Sequence, residues 1–427
     1  MTVTIKSIPL ESLADIVMGQ SPDSSAINYE EKGLPFLQGC AEFGCTSPIA
    51  TSYCDPPLRV SKAGSLLISV RAPVGKQNWS DQLYCIGRGL ASIRAKSGPE
   101  DARFLRYAIE QNSLFLHRRS QGSTFAAVGS KDLDLLPIPE FSSSAREKIG
   151  RILATIERAI ERAEALIEKY QQIKAGLMHD LFTRGIGADG HLRPPPNERP
   201  ELYRETPLGL IPVTWDCANL SGKAKPGVPV IRTGPFGSSL KGEHWVKDGV
   251  PVITIGSLGD GVFNESELLF VNNVDANRLS AFCLKLGDVV FSRVADVGRS
   301  VAISEDNVGW IMSSNLMRIS LDPNQVLPQY LQYQLSSDSR IRTQIRRKVN
   351  SSGRDVANSE ILGSLLFLWP SASEQDAIVR RADAVSQHVQ QETEQKKKLE
   401  KLKSGLMCDL LTGRMTVETK ASELADV

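Results

Sequence analysis

Between Ile149 and Leu177 apolar residues recur at alternating intervals of three and four: Ile149, Ile152, Ile156, Ala159, Ala163, Leu166, Tyr170, Ile173 and Leu177. That is a heptad seam with Arg, Glu and Lys between its positions, and it predicts one long helix. At the rise of an α-helix it would be roughly 50–55 Å long. The stretch occurs twice. Shifted by 229 positions, Ser144–Thr183 falls on Ser373–Thr412 without a gap. Lys174, Gly176, Leu177, Met178, Asp180, Leu181 and Thr183 meet Lys403, Gly405, Leu406, Met407, Asp409, Leu410 and Thr412, and Ile149, Arg151 and Lys169 meet Ile378, Arg380 and Lys398. A gapless repeat means one element made twice at one length. The second copy keeps seam residues Ile378, Val385, Leu399, Leu402 and Leu406, but Arg381, His388, Glu392 and Gln395 interrupt it. Those side chains suit a wetter middle section facing Ala159 and Ala163. Two equal helices with seams are expected to pair with each other.

The stretches before each helix have a different period. Leu34–Leu37, Ser65–Val70 and Leu90–Ile93 are short apolar runs separated by Gly, Pro, Asn and Ser, a pattern of short strands. A helical pattern follows through Phe104, Leu105, Ala108, Ile109 and Leu116. The second stretch echoes the first. Gly33–Leu37 resembles Gly249–Ile253, Gly64–Gly75 parallels Gly287–Gly298, and Phe104–Tyr107 matches Tyr330–Tyr333. The offset drifts along these pairs, so the frames agree while loops differ in length. Between the first long helix and the second mixed stretch lies Arg184–Pro200, rich in Gly and Pro, which reads as a linker or hinge. The order is globule, helix, globule, helix.

A chain of 427 residues can hold two to four domains with real cores. The first residues have neither a basic segment nor an apolar core, so no signal peptide is read. No apolar run approaches the length of a membrane span. Seven Cys, an odd number, fit a reducing cytoplasm. The net charge of +1 gives no sign of a polyanion partner. Residues 1–140 carry 14 basic and 14 acidic side chains, and residues 201–370 carry 17 of each, so any nucleic-acid surface must come from local clustering.

Two divergent heads on one duplicated frame, held apart by paired helices, make a two-point reader. Duplex DNA is an obvious ligand, since heads offset by about one turn (~34 Å) reach the same side of the groove. Here the resemblance becomes specific. Gly234-Pro-Phe-Gly-Ser-Ser-Leu240, Ser69-Val-Arg-Ala-Pro-Val-Gly75, Glu205–Trp215, Leu177–Gly185 and its twin from Leu406 form an ordered set along nearly the whole chain. With them the chain resembles the specificity subunit of a type I restriction–modification system. The resemblance implies an α+β fold in which two mixed α/β target-recognition domains alternate with two long helices pairing as an antiparallel coiled coil. The expected boundaries are 1–141 for the first recognition domain, 142–183 for the central spacer helix and 184–207 for the linker. The second recognition domain would be 208–371, the second helix 372–413 and a flexible tail 414–427. It also implies double-stranded DNA as ligand and two DNA adenine methyltransferase subunits docked on the helical regions. Restriction/translocase subunits can join. AdoMet, ATP and Mg²⁺ are expected only on those partners, and the location is cytoplasmic.

Both heads carry a helix that runs into a basic pair and a small-residue loop: Arg118, Arg119, Gln121, Ser123 and Thr124 in the first, and Arg346, Arg347, Lys348, Asn350, Ser351 and Arg354 in the second. Arg and Lys hold phosphates, and the Gln and Asn amides can pair with an adenine edge. The same pattern would also suit a helix end whose cations complement its dipole. Ser69 and Arg71, with Ser292 and Arg293, lie at strand ends and form a second candidate set, equally compatible with ordinary turns. Leu177, Met178, Leu181, Phe182, Leu406, Met407, Leu410 and Leu411 are candidates for methyltransferase docking or for core. Trp79, Tyr84 and Trp245 read as core.

No GxxxxGK[ST] loop and no Gly-rich AdoMet loop is present. Asp55-Pro-Pro-Leu58 has Leu where amino-methyltransferases carry an aromatic that stacks on a flipped base, so it reads as a turn. Cys40, Cys45 and Cys54 lack zinc spacing. No catalytic residue and no metal site is therefore expected. Two rivals remain open: a methyltransferase with its own chemistry, and a coiled-coil scaffold whose heads bind proteins.

Overall fold

The computed structural model describes residues 5–120, 127–236, 239–294, 297–351 and 356–417. Its contacts divide the chain into two units, residues 1–165 with 392–427, and residues 166–391. Each unit contains one head and parts of both long helices, the central helix Ser143–Thr183 and the C-terminal helix Ala372–Leu411.

In the first unit the two helices run antiparallel. Lys396 reaches Glu164 at 2.9 Å, and one heptad further along the C-terminal helix Lys403 reaches Glu157 at 3.2 Å, one heptad earlier on the central helix. In the second unit Tyr170 stacks on His388, ring centroids 5.2 Å apart. The inward line of the central helix differs from the expected seam. Ile149, Leu153 and Ala163 are buried, whereas Ile152, Leu166 and Ile173 are exposed. The buried line runs through positions 149, 153, 156, 160, 163, 167, 170 and 174, which keeps the heptad period of the expected seam but lies on a neighbouring face of the helix. It thus leaves every second member of the seam on an outer flank.

Both heads have one frame. The first has a four-stranded antiparallel sheet in the order Ala14–Met18, Leu90–Ala95, Leu66–Ser69, Gln77–Trp79. The second repeats it as Ile231–Thr233, Leu316–Ile319, Val289–Ser292, Ser300–Ala302. Each head also has a second sheet, of five strands in the first head and four in the second, with one parallel pair: Leu34–Leu37 beside Tyr84–Ile86 and Val250–Ile253 beside Ile311–Met312. Leu66, Leu67 and Ile68, like Val289, Val290 and Phe291, are buried on both sheet faces. That is why these strands read as continuous apolar runs rather than alternations.

Each head is closed by the end of a long helix that follows the other head in the sequence. Met407, Leu410 and Leu411 lie in the core of the first head with Phe104, Tyr107 and Ile149. Met178, Leu181 and Phe182 lie in the core of the second with Trp215, Tyr330 and Ile378. Leu177 and Leu406 pack against the same clusters. The reading of these eight residues as docking faces is therefore corrected in favour of core: a helix end with apolar residues on one side buries them where its own unit supplies an apolar wall.

The linker at residues 184–207 is fastened to its own unit. Arg193 pairs with Glu374 through both guanidinium nitrogens (2.5 and 2.9 Å), the Ile186 amide donates to the same carboxylate at 2.8 Å, and Tyr203 donates to the Pro194 carbonyl at 2.7 Å. The segment is a strap fastened to the start of the C-terminal helix. It leaves the central helix through Gly185, whose φ of 64° suits a residue without a side chain at a helix end. A Cβ there would collide with Trp215 and Glu374.

Candidate nucleic-acid interface

Strand Leu66–Ser69 turns into Gln77–Trp79 through a loop held by Ser69. The Ser69 amide donates to Lys76 O (2.8 Å), the Gly75 amide donates to Ser69 O (2.9 Å), and the Ser69 hydroxyl donates to Pro73 O (2.6 Å) while accepting from Lys76 N (2.9 Å). In the second head the Ser292 amide donates to Arg299 O (2.9 Å) and the Gly298 amide to Ser292 O (3.3 Å). Gly75 and Gly298 have φ of 89° and 111°, which the turn requires and which only glycine adopts without strain. Ser69 and Ser292 are buried. Of the two readings open for this set, an ordinary turn and a DNA contact, the hydrogen bonds of both serines serve the turn.

The turn is where the two candidate sets meet. The Val70 carbonyl accepts from Val128 N at 2.8 Å and Arg71 bridges Ala127, so the chain returning from the basic helix lies on the turn. In the second head the Arg293 carbonyl accepts from Ala357 N at 2.7 Å and Val294 bridges Val356. Stretches far apart in sequence thus converge in the same way in both heads. Arg71 is exposed at this junction. Arg293 is half-buried and turns its Nε onto Ala357 O at 3.3 Å.

The basic helices show why their cations face outward. In Ser339–Ser351, Ile341, Ile345 and Val349 are buried at four-residue spacing. This leaves Arg346, Arg347 and Asn350 exposed, with Lys348 half-buried. Arg340 is paired with Asp338 at 2.8 Å and Arg342 donates to Ser336 O at 2.9 Å, so these two are anchors. In Ser113–Ser120, Leu116 and Ser120 are buried while Arg118 and Arg119 are exposed. Arg119 is held 3.1 Å from Asp132 and lies 4.5 Å over the Phe115 ring, which fixes its direction. With the offset of the long-helix repeat, Arg118 corresponds to Arg347, Arg119 to Lys348 and Gln121 to Asn350. Gln121, Ser123, Thr124 and Arg354, with the Ser351 side chain, lie outside the described residues.

The residue types alone did not single out what fixes each head on its helices. Tyr107 donates to Glu157 at 2.6 Å, with Arg106 on the same carboxylate and Lys403 over the tyrosine ring at 5.4 Å. Tyr333 donates to Asp383 at 2.6 Å, with Lys174 5.9 Å from its ring. Burial and the accepting carboxylate push both phenols well above their ordinary range, so both stay protonated donors. The signal was available: Lys174 and Lys403 are identical in the repeat, and Tyr107 and Tyr333 are matched. Trp79 and Trp245 are half-buried and Tyr84 is buried with its hydroxyl on Asp81 at 2.7 Å. Among the described residues no three or more His, Cys, Asp or Glu gather as a metal site. None of the described helices is long and apolar enough to cross a membrane.

The family model for the type I restriction modification DNA specificity domain matches residues 3–172 and again 231–401. Two relatives from Methanocaldococcus jannaschii carry matching names. The chain is 38% identical over 176 residues to its MjaX specificity subunit, spanning 41% of this chain and 41% of that protein. It is 21% identical over 337 residues to the MjaVIII specificity subunit, 77% of this chain and 74% of that protein. The first match thus spans less than half the relative's length. A crystal structure of the type I restriction–modification S subunit from M. genitalium has the same fold, with a TM-score of 0.62, 15% identity, and 95% and 96% of the two chains covered. With both copies of the domain model lying on the two head-and-helix repeats, the chain belongs to the family of type I restriction–modification DNA specificity subunits.

Proposed function

We propose that each head reads one half of a bipartite, asymmetric duplex target, and that the bases between the halves go unread. What supports this is the duplicated junction, where an outward-facing basic helix end and a glycine-dependent turn meet through the returning chain. Arg118, Arg119, Arg346, Arg347 and Lys348 supply phosphate contacts that set register, with Arg71 at the junction of the first head. Gln121 and Asn350 are the candidates to pair with base edges through their amides, with Ser123, Thr124, Ser351 and Arg354 as further candidate contacts. Heads alike in frame and different in loops imply two different half-sites. The helices between them set the gap and carry two adenine methyltransferase subunits, which bring AdoMet and the methyl-transfer chemistry. Restriction/translocase subunits with ATP and Mg²⁺ can join the same assembly. The chain itself recognises and does not catalyse.

The test is duplex binding by the complex of this chain and its methyltransferase across a salt series. Phosphate contacts release counterions, so log affinity falls linearly with log salt at a slope of about −0.9 for each phosphate neutralised. A flat salt response would refute the reading and favour a protein-binding scaffold.

A further inference from the structure

The junction of turn and returning chain belongs to a longer row that both heads build in the same way. In the second head the Gly234 amide donates to Leu316 O at 3.0 Å, the Arg293 amide to Asn315 O at 3.1 Å, and the Ala357 amide to Arg293 O at 2.7 Å. In the first head the Gly19 amide donates to Leu90 O at 2.9 Å, the Val70 amide to Gly89 O at 2.9 Å, and the Val128 amide to Val70 O at 2.8 Å. Four stretches thus lie side by side at one end of each four-stranded sheet. They are the end of the outer strand, the loop entering the next strand, the turn after the third, and the chain returning from the basic helix. The first two touch so closely that only glycine fits: a Cβ on Gly19 would sit 2.1 Å from Gly87 O, and one on Gly234 1.9 Å from Ser313 O. At the usual strand spacing of about 4.8 Å the row is roughly 14 Å across. That is on the order of the width of the DNA major groove, about 12 Å.

The frame of the row is duplicated, but its exposed side chains are not. In the second head Phe236 lies two residues beyond Gly234 and is 86% exposed. Pro235 precedes it, and the Ser239 amide donates to the Phe236 carbonyl at 2.8 Å, closing a tight turn. The same place in the first head holds Ser21, half-buried and accepting from Gln38 Nε2 at 3.3 Å. The first head instead presents Arg88, between Gly87 and Gly89 in the loop entering the central strand. Arg88 is exposed, and among the described residues its guanidinium has no hydrogen-bond or ion-pair partner. Its counterpart in the second head is Ser314. Neither the ring nor the guanidinium contributes packing or pairing to its own head. Both stand on the row that ends at the basic helix. A duplex held there by its phosphates lays a groove along the row, and phosphate contacts carry no sequence information. The side chains that differ between the two rows can carry it. Arginine is the commonest reader of guanine, through O6 and N7, and an aromatic ring packs against the 5-methyl group of thymine.

We infer that Arg88 and Phe236 are specificity-determining residues: Arg88 reads a guanine in the half-site of the first head, and Phe236 reads the methyl group of a thymine in the half-site of the second. This rests on the reading that each head recognises one half-site. It gives the difference between the half-sites a chemical cause, a guanidinium on one row and an aromatic ring on the other.

The experiment compares the N6-methyladenine motif in cells carrying the methyltransferase with the wild-type chain, Arg88→Ala or Phe236→Ala, and titrates each purified complex with specific and scrambled duplexes. Arg88→Ala relaxes a position in one half of the motif, and Phe236→Ala relaxes a position in the other. Discrimination at each relaxed position falls about tenfold or more. Deoxyuridine in place of the thymine read by Phe236 removes one methyl group and weakens the wild-type complex about fourfold. The Phe236→Ala complex does not respond to that replacement. Both side chains are exposed, so neither variant lowers the melting temperature. A variant that keeps the wild-type motif overturns the assignment of its residue. So does one that loses methyltransferase subunits rather than base discrimination, which is the mark of a protein contact. If a variant abolishes methylation altogether, the titration decides: the preference for the specific duplex falls if the assignment holds and is kept if it fails. A wild-type chain that gives no split motif overturns the half-site reading itself.

Discussion

Arg146 and Gln375 occupy the same position of the repeat, and each closes the start of its long helix differently. In the first unit Arg146 donates to the Phe141 carbonyl at 2.8 Å and holds Asp101 through Nε (3.0 Å) and Nη2 (2.7 Å), with the ion pair almost wholly buried. In the second unit Gln375 donates to the equivalent Pro370 carbonyl at 3.0 Å and to Gln325 O at 2.9 Å, and accepts from Leu327 N at 2.8 Å. The second unit repeats this neutral solution where Gln334 and Gln344 pair with the backbone of Leu368 and Leu366, respectively. One frame tolerates a buried charge pair or a set of amides, provided every buried polar group finds a partner.

Removing one partner separates the two solutions most sharply. Arg146→Leu leaves Asp101 buried and unpaired and is expected to cost about 3–5 kcal/mol. Gln375→Leu leaves neutral groups unpaired and costs about 1–3 kcal/mol. Denaturant midpoints of the two variants measure the difference, and equal losses would contradict it. The paired core ends come next. Phe182→Ala costs about 3–5 kcal/mol and Leu411→Ala about 2–5 kcal/mol, as cavities in two separate cores, where a docking surface would have cost almost nothing. Calorimetry of the free chain decides between these.

At the interface the effect moves from stability to binding. Arg347→Ala and Arg118→Ala each lower the slope of log affinity against log salt by about one unit and leave the fold intact. Arg340→Ala does the reverse, because its guanidinium is committed to Asp338. The smallest effect is at the tyrosines. The folded phenol of Tyr107 sits above its unfolded value of about 10, because burial and Glu157 favour the protonated form. Its contribution is therefore complete below about pH 10 and declines as the pH rises beyond that. Tyr107→Phe loses about 1 kcal/mol at neutral pH and shows a shallower alkaline decline. An unchanged alkaline profile would remove the tyrosine from the account.

Much of the fold was legible because it is written twice. The repeat disclosed two equal helices, and the matched Gly-flanked strands disclosed two heads of one frame. The seam was misplaced because 3-4 spacing fits two neighbouring faces of a helix, and only packing decides between Ile152 and Leu153. Residues 184–200 read as a linker or hinge from Gly and Pro, whereas the Arg193–Glu374 pair that fastens them joins residues 181 positions apart. The interface was half legible. Basic helix ends showed as charge clusters, but the turn-forming part of Ser69 and the backbone tie of Arg293 depend on neighbours that no local pattern contains.

The central claim is that two heads read two different half-sites. Its most direct measurement is a genome-wide map of N6-methyladenine in cells carrying this chain with its methyltransferase, against cells lacking only this chain. One split, asymmetric motif that disappears with the chain is the expected result. A palindromic motif, a continuous one, or methylation that persists without the chain would contradict it.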